Sequence, residues 1–213
     1  MDDFNKNDFL IHFTYDTNKI EGSKLSFEDV ENIIKNDKYP IDATNEDINE
    51  CIGLYSTMLE LFQKPNLKIT PTLIKKIHYM IFSESKIFAG VFRSKPNERV
   101  AIFDNFGNLI NRTTPPEKVR SEIKNLCDKH SLKTHDDIYE PFRFHILFEK
   151  IHPFLDGNGR VGRVLLNYML IKQYRPLINI RYEDRLTYYG FLTTTLQDGT
   201  KAFANFYNEH RWI

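Results

Sequence analysis

Cysteine is scarce in this chain: Cys51 and Cys127 are the two present among 213 residues. Two thiols make neither a disulfide framework nor a zinc site, and both fall at apolar positions of helix-like patterns, where buried free thiols are ordinary. An excess of charge is missing as well. Lys plus Arg and Asp plus Glu both number 29, so no overall field draws the chain to nucleic acid or to an anionic membrane. Partner recognition must then be local. The longest apolar run, residues 164–171, is too short to span a bilayer and contains Asn167. The sequence begins Met1-Asp2-Asp3-Phe4-Asn5-Lys6, acidic and polar where a secretory signal would be basic and then apolar, so a cytoplasmic location is expected. The acceptor-like triplet Asn111-Arg112-Thr113 is accordingly read as a chance match. Repeats, low-complexity tracts and linkers are absent too, which argues for a single domain. A content of 41% hydrophobic and 14% aromatic residues suffices for one good core.

What is present is mostly helical periodicity. Residues 8–21 predict a helix that stops at Gly22. Ser26 with Asp29, and Thr44 with Asp47, are N-terminal capping signals. After the second, Ile48, Cys51, Ile52, Tyr55, Leu59 and Phe62 form one apolar stripe. Thr70-Pro71 opens a helix with Leu73, Ile74, Ile77, Met80 and Ile81 on its buried face and His78 beside them as a structural histidine. Helices resume at Pro116, with Val119, Ile123, Leu126 and Cys127 on one face. Another begins near Pro141 and runs through Phe142, His145, Ile146, Phe148 and Glu149. Residues 159–174, 183–196 and 202–208 continue the pattern. Against it, Gly90-Val91-Phe92-Arg93, Arg99 to Phe103, the turn-rich stretch Asp104 to Asn108, and Leu109-Ile110 supply one hairpin candidate. A single hairpin cannot form a sheet core, so it belongs on the surface or beside something.

The densest chemistry lies in His152-Pro153-Phe154-Leu155-Asp156-Gly157-Asn158-Gly159-Arg160-Val161-Gly162-Arg163, which opens the apolar segment that follows. A helix start presents unpaired N–H groups and the positive end of a dipole, and glycines let backbone approach an anion without a Cβ in the way. Arg160 and Arg163 stand three apart, so on a helix they share a face and offer planar donor forks to phosphate. Asp156 would repel phosphate unless a metal lay between them, and Mg²⁺ is the natural choice. His152 is able to accept a proton at neutral pH. Gly157 to Gly162 also fits the dinucleotide fingerprint Gly-x-Gly-x-x-Gly, but residues 138–151 carry helical periodicity where that fingerprint needs a strand. A protein kinase is excluded by the lack of its His-Arg-Asp and Asp-Phe-Gly motifs.

The twelve residues resemble the signature of the Fic family, His-Pro-Phe-x-[Asp/Glu]-Gly-Asn-Gly-Arg-x-x-Arg, with every fixed position filled. The resemblance extends over about residues 73–208. It implies an all-α, Fic-type helical bundle with a small β-hairpin flap beside the active site, in which residues 73–213 form the catalytic core and residues 1–72 an N-terminal helical region. It further implies a protein adenylyltransferase that moves AMP from ATP-Mg²⁺ to a Ser, Thr or Tyr hydroxyl of a target protein. That target would be aligned by the flap near residues 99–111, and self-modification is included. In this picture His152 is the base and Asp156 the metal ligand. Gly157, Asn158 and Gly159 cradle phosphate, and Arg160 and Arg163 clamp it. Tyr189 and Leu192 match positions that border the adenine in relatives. Leu196 stands one helical turn later, where some relatives carry Asn, so a UTP or GTP donor stays open. A non-catalytic nucleotide sensor on the same helices is the competing class.

Thr17-Asn18-Lys19-Ile20-Glu21-Gly22 resembles the family's inhibitory motif [Ser/Thr]-x-x-x-Glu-[Gly/Asn], on the helix expected at residues 8–22. If that helix docks against the signature, Glu21 has a partner in Arg163, the guanidinium expected to hold the γ-phosphate. Autoinhibition through Glu21 follows, and the alternative that the resemblance leaves open is removal of AMP from a modified target, as in some relatives.

Overall fold

Capping residues set the helix boundaries. The chain is seen in a computed structural model that describes residues 3–103, 109–131 and 137–212. Helix α1 spans Asp3–Ile20 and α2 spans Phe27–Asn36, the latter opened by a full capping box in which Ser26 and Asp29 bond each other's backbone N–H. The Thr44 and Thr70 side chains cap α3 (Asn45–Gln63) and α4 (Pro71–Phe82), with Pro71 at the first turn of α4. The hairpin follows as β1 (Ala101–Phe103) and β2 (Leu109–Arg112), antiparallel, with a bulge between Ile102 and Phe103. Its turn, Asp104 to Asn108, lies outside the described residues. Then come α5 (Pro116–Ser131), α6 (Glu140–Ile151), α7 (Asn158–Lys172), the strand β3 (Leu177–Ile178), a 3₁₀ turn at Tyr182–Asp184, α8 (Arg185–Thr193), α9 (Leu196–His210) and β4 (Arg211–Trp212). The expected all-α bundle with a small hairpin is the observed fold.

Helix α7 is buried along nearly its whole length, its polar Arg160, Arg163 and Asn167 included, and it lies at the centre of the fold. Val161, Val164, Leu165, Leu166, Tyr168 and Leu170 are fully buried, and α7 packs against α1, α3, α4 and α6. One core cluster joins Phe9, Phe13 and Leu54 from the first helices to Phe142, Phe148 and Phe203 from the last. A second, smaller cluster of Ile11, Leu25, Val30, Ile33 and Cys51 holds α2 against its neighbours. Among the described residues no helix is long and apolar enough to cross a membrane. Both cysteines are buried and free.

Three expectations need correction. On α3, Ile52 is exposed, and the inward face is Glu50, Cys51, Leu54, Thr57, Met58 and Leu61. The helix expected over 183–196 ends at Thr193 because Thr195 caps a new helix by accepting from the Asp198 N–H. Leu196 therefore begins α9 and does not lie one turn beyond Leu192 on α8. The hairpin is also not the sole strand pairing: β3 and β4 form a second two-stranded ladder, and the Trp212 indole donates to Asn5 Oδ1 at 2.6 Å, tying the end of the chain to α1.

Candidate active site

Helix α6 ends where His152 turns into the left-handed region, with φ 53°, and its N–H donates to Phe148 O at 2.9 Å. A non-glycine residue holds that conformation only when its surroundings fix it. Nδ1 of the imidazole lies 3.3 Å from the carbonyl oxygen of Glu149. A carbonyl only accepts, so Nδ1 carries the proton and Nε2 keeps its lone pair. Burial pushes the His152 pKa down to about 4, which leaves the ring neutral at neutral pH.

The loop into α7 is closed by its own side chains. Asn158 Oδ1 accepts from the Phe154 N–H at 2.8 Å and its amide donates to Phe154 O at 2.9 Å, so the Asn158 side chain shapes the turn. Gly157 has φ 76°, and a Cβ there would overlap the Phe82 ring. His78, on α4, accepts from the Gly90 N–H through Nδ1 and donates through Nε2 to Asp156 O at 3.1 Å. Its ring stacks on Phe154 with centroids 3.8 Å apart. Burial pushes its pKa to about 4, and this histidine is a neutral strut of the loop.

The two arginines each face an acid from the N-terminal helices. Arg163 is 1% exposed; its Nη2 donates to Glu21 Oε1 at 2.6 Å and to Thr17 O at 3.1 Å. Burial opposes the Arg163 charge, but Glu21 outweighs it and holds the pKa above its ordinary value. The Glu21 carboxylate occupies the space over Gly159: a Cβ at that residue would overlap Oε1. Arg160 stacks over Phe82 at 4.5 Å and donates to Glu50 Oε2. Thr17 is buried on the last turn of α1.

Asp156 is the one carboxylate within the turn. Its Oδ1 accepts from the Gly157 N–H at 2.6 Å and its Oδ2 lies 3.1 Å from Lys86 Nζ and 3.7 Å from Arg160 Nη2. Burial raises its pKa, but Arg160, the Gly157 N–H and Lys86 together bring it below the ordinary carboxylate value. Among the described residues no group of three or more His, Cys, Asp or Glu is gathered to hold a metal. A single, half-exposed carboxylate nonetheless suits Mg²⁺, which keeps several waters and is bound through one or two carboxylates plus substrate phosphates.

Several residues of the site were invisible in sequence. Glu50 and Lys86 form the acid–base layer under Asp156, where Lys86 also pairs with Glu46. Arg93 is buried at the end of α6. Behind Arg163 lies a buried polar layer: His145 Nε2 is 2.9 Å from the Tyr188 hydroxyl, and Glu149 lies against Gly162, where any Cβ would overlap its Oε1. Burial pushes the Glu149 pKa up to about 8 and that of His145 down to about 3. It is Tyr188 that enters this layer, while Tyr189 and Leu192 stay partly buried against the edge of the core.

Residues 68–170 match the model of the Fic/DOC family. Protein adenylyltransferase fic-1 of Caenorhabditis elegans is 26% identical over 208 residues, which is 93% of this chain and 39% of that protein. Protein adenylyltransferase Fic of Nematostella vectensis is 27% identical over 201 residues, 90% of this chain and 44% of that protein. The chain thus spans about two-fifths of the length of these relatives. In the same fold is the crystal structure of a Fic domain containing signaling protein from Bacteroides thetaiotaomicron, with a TM-score of 0.83 at 22% identity, covering 97% of this chain and 84% of that one. The signature, assembled at the start of a central helix, lies inside the stretch that matches the Fic/DOC family model, and the chain shares the fold of the solved Fic domain.

Proposed function

We propose that the chain is a protein adenylyltransferase that moves AMP from ATP-Mg²⁺ to a Ser, Thr or Tyr hydroxyl of a target protein, and that its own Glu21 restrains it. The observation that carries this reading is the Glu21 carboxylate lying over Gly159 against Arg163. A helix N-terminus and a guanidinium are what a phosphate would take, and here a carboxylate has taken them. The relatives named protein adenylyltransferase support the same reaction class.

The target hydroxyl gives its proton to His152 Nε2 as its oxygen attacks the α-phosphorus. The new O–P bond forms while the bond from the α-phosphorus to the bridging oxygen breaks, and pyrophosphate leaves. Asp156 would hold Mg²⁺ carried in on ATP, whose charge offsets that of the departing pyrophosphate. Backbone N–H groups at the start of α7 and the Arg163 guanidinium orient the phosphates, and positioning supplies most of the rate. Tyr189 and Leu192 border the base, the hairpin near residues 99–111 aligns the target segment, and residues 1–72 regulate the core at 73–213.

Label from α-³²P-ATP tests this. Wild type should be slow and Glu21→Gly faster by about tenfold or more, roughly 1.4 kcal/mol in the barrier. His152→Ala in the Glu21→Gly background should lose about 10²- to 10⁴-fold. Equal labelling of wild type and Glu21→Gly would end the autoinhibition reading, and undiminished labelling by the His152→Ala combination would end the role of His152. Release of AMP from pre-modified protein by wild type would assign Glu21 to the reverse task.

A further inference from the structure

Arg93 is a fully buried cation whose guanidinium is satisfied by oxygens of the backbone and one hydroxyl rather than by a carboxylate. Its contacts fall into two groups. One group lies on the turn that carries His152: Nε donates to His152 O at 2.6 Å, Nη2 lies 3.0 Å from Ile151 O, and the Arg93 backbone N–H donates to Pro153 O at 3.0 Å. The other lies at the two feet of the hairpin. Nη1 donates to Glu98 O at 3.3 Å before β1, and Nη2 is 2.6 Å from Thr114 O and 3.0 Å from Thr113 Oγ1 after β2. The Thr113 hydroxyl in turn donates to Val100 O at 2.5 Å, so the two feet are joined to each other through the same cluster.

The physical need is plain at both ends. The last carbonyls of α6 have no intrahelical donors and carry the negative end of the helix dipole, where a cation is favoured. His152 sits at positive φ without being glycine, and something must hold it there. A planar fork with five donors reaches both the turn and the hairpin feet at once, which an ammonium cannot.

We propose that Arg93 is a positioning residue: it fixes the left-handed turn that leaves His152 Nδ1–H on Glu149 O and Nε2 free, and it locks that turn to the base of the hairpin. A target segment seated on the hairpin and the imidazole that takes its proton are thereby held in one frame. The inference rests on His152 being the base, and its test separates the two.

In the Glu21→Gly chain, Arg93→Lys and Arg93→Gln should lower kcat for transfer by about 10- to 100-fold, the scale expected of a misplaced reacting group, with the KM for ATP changed less than about twofold. The ¹⁵N spectrum of the His152 ring should pass from a pure Nδ1–H tautomer to a mixture. Thr113→Val, which removes one hydroxyl and leaves the cation in place, should do the same on a smaller scale, about two- to fivefold in kcat, and serves if the Arg93 variants fail to fold. An unchanged His152 tautomer in folded Arg93 or Thr113 variants, or kcat and KM failing together in step with melting temperature, would overturn the proposal. If His152→Ala transfers at full rate, the base assignment falls, yet the tautomer spectrum still answers for Arg93.

Discussion

Arg160 and Arg163 sit one turn apart on α7, and each meets a carboxylate from the first fifty residues, yet the two pairs are built for different ends. Glu50 projects from the middle of α3 with 8% of its side chain exposed, accepts from Ser85 Oγ at 3.0 Å, and lies 3.4 Å from Lys86 Nζ as well as against Arg160. Arg160 is further pinned by the Phe82 ring. Glu21 stands one residue past the end of α1, is 27% exposed, and reaches a single guanidinium. A phosphate competing for Arg160 would have to dismantle the junction of α3, α4 and α7. A phosphate competing for Arg163 has only to displace one side chain at the rim. The residue types and spacing are the same, and burial of the acid decides which arginine is available.

The sharpest break of this comparison is Glu50→Ala. It leaves the buried Arg160 guanidinium with only the half-exposed Asp156 at 3.7 Å, and removing one member of a buried pair typically costs about 3–5 kcal/mol, so the urea midpoint should fall steeply. Glu21→Gly should cost less than about 1.5 kcal/mol, because water reaches the vacated position at the rim. Equal losses in the two variants would mean that the pairs are alike and that Glu21 is as structural as Glu50.

The layer behind Arg163 offers a second contrast, this time in pH. Glu149 holds its proton to about pH 8 in the folded chain but releases it near 4.5 when unfolded. Between those values the folded state binds more protons, so this group makes stability fall as pH rises, by about 1.4 kcal/mol per unit at most. His78, His145 and His152 act with the opposite sign: their folded pKa values, about 4, 3 and 4, lie below the ordinary 6.5. Their contribution is complete above 6.5 and is lost as pH falls toward 4. Above pH 6.5 the histidines no longer contribute a slope, and Glu149 acts against stability without them. The melting temperature should thus drop between pH 6.5 and 8 in wild type and drop less in Glu149→Gln. An identical drop in both would place the titration elsewhere.

How much of this was legible follows from where the information sits in the chain. The His152–Arg163 turn could be read because twelve contiguous residues carry its signature, and the approach of Glu21 to Arg163 because one resemblance named Glu21, the other named Arg163, and opposite charges pair when the helix docks. Glu50 was missed for a geometric reason: α3 carries two overlapping apolar stripes that share Cys51, and hydrophobicity alone chose the one with Ile52, which rotates Glu50 outward. Arg93 followed Gly-Val-Phe beside a hairpin candidate and had no local sign of burial, since its acceptors come from residues 98, 113, 114, 151 and 152. Lys86 joins Asp156 only after α4 packs on α7. Pairings across long sequence separations are set by packing, and packing has no motif.

The smallest and most discriminating test concerns Gly22. It takes φ 97° directly after Glu21, its N–H donates to Lys19 O at 3.1 Å, and the Ser23 N–H donates to Asn18 O at 3.1 Å, so the end of α1 is closed by a glycine in the left-handed region. A Cβ built at this position meets nothing within 4 Å. Gly22→Ala therefore adds no clash, and its effect is backbone strain alone, about 1 kcal/mol. If the strain is relieved by loosening the Glu21 turn, the docked carboxylate loses part of its advantage over phosphate. Transfer should then rise by about two- to fivefold, below the gain from Glu21→Gly, with little change in melting temperature. If the end of α1 holds instead, the strain stays in the folded state: melting temperature falls by a few degrees, transfer stays at the wild-type rate, and Gly22 is a helix stop with no part in the restraint.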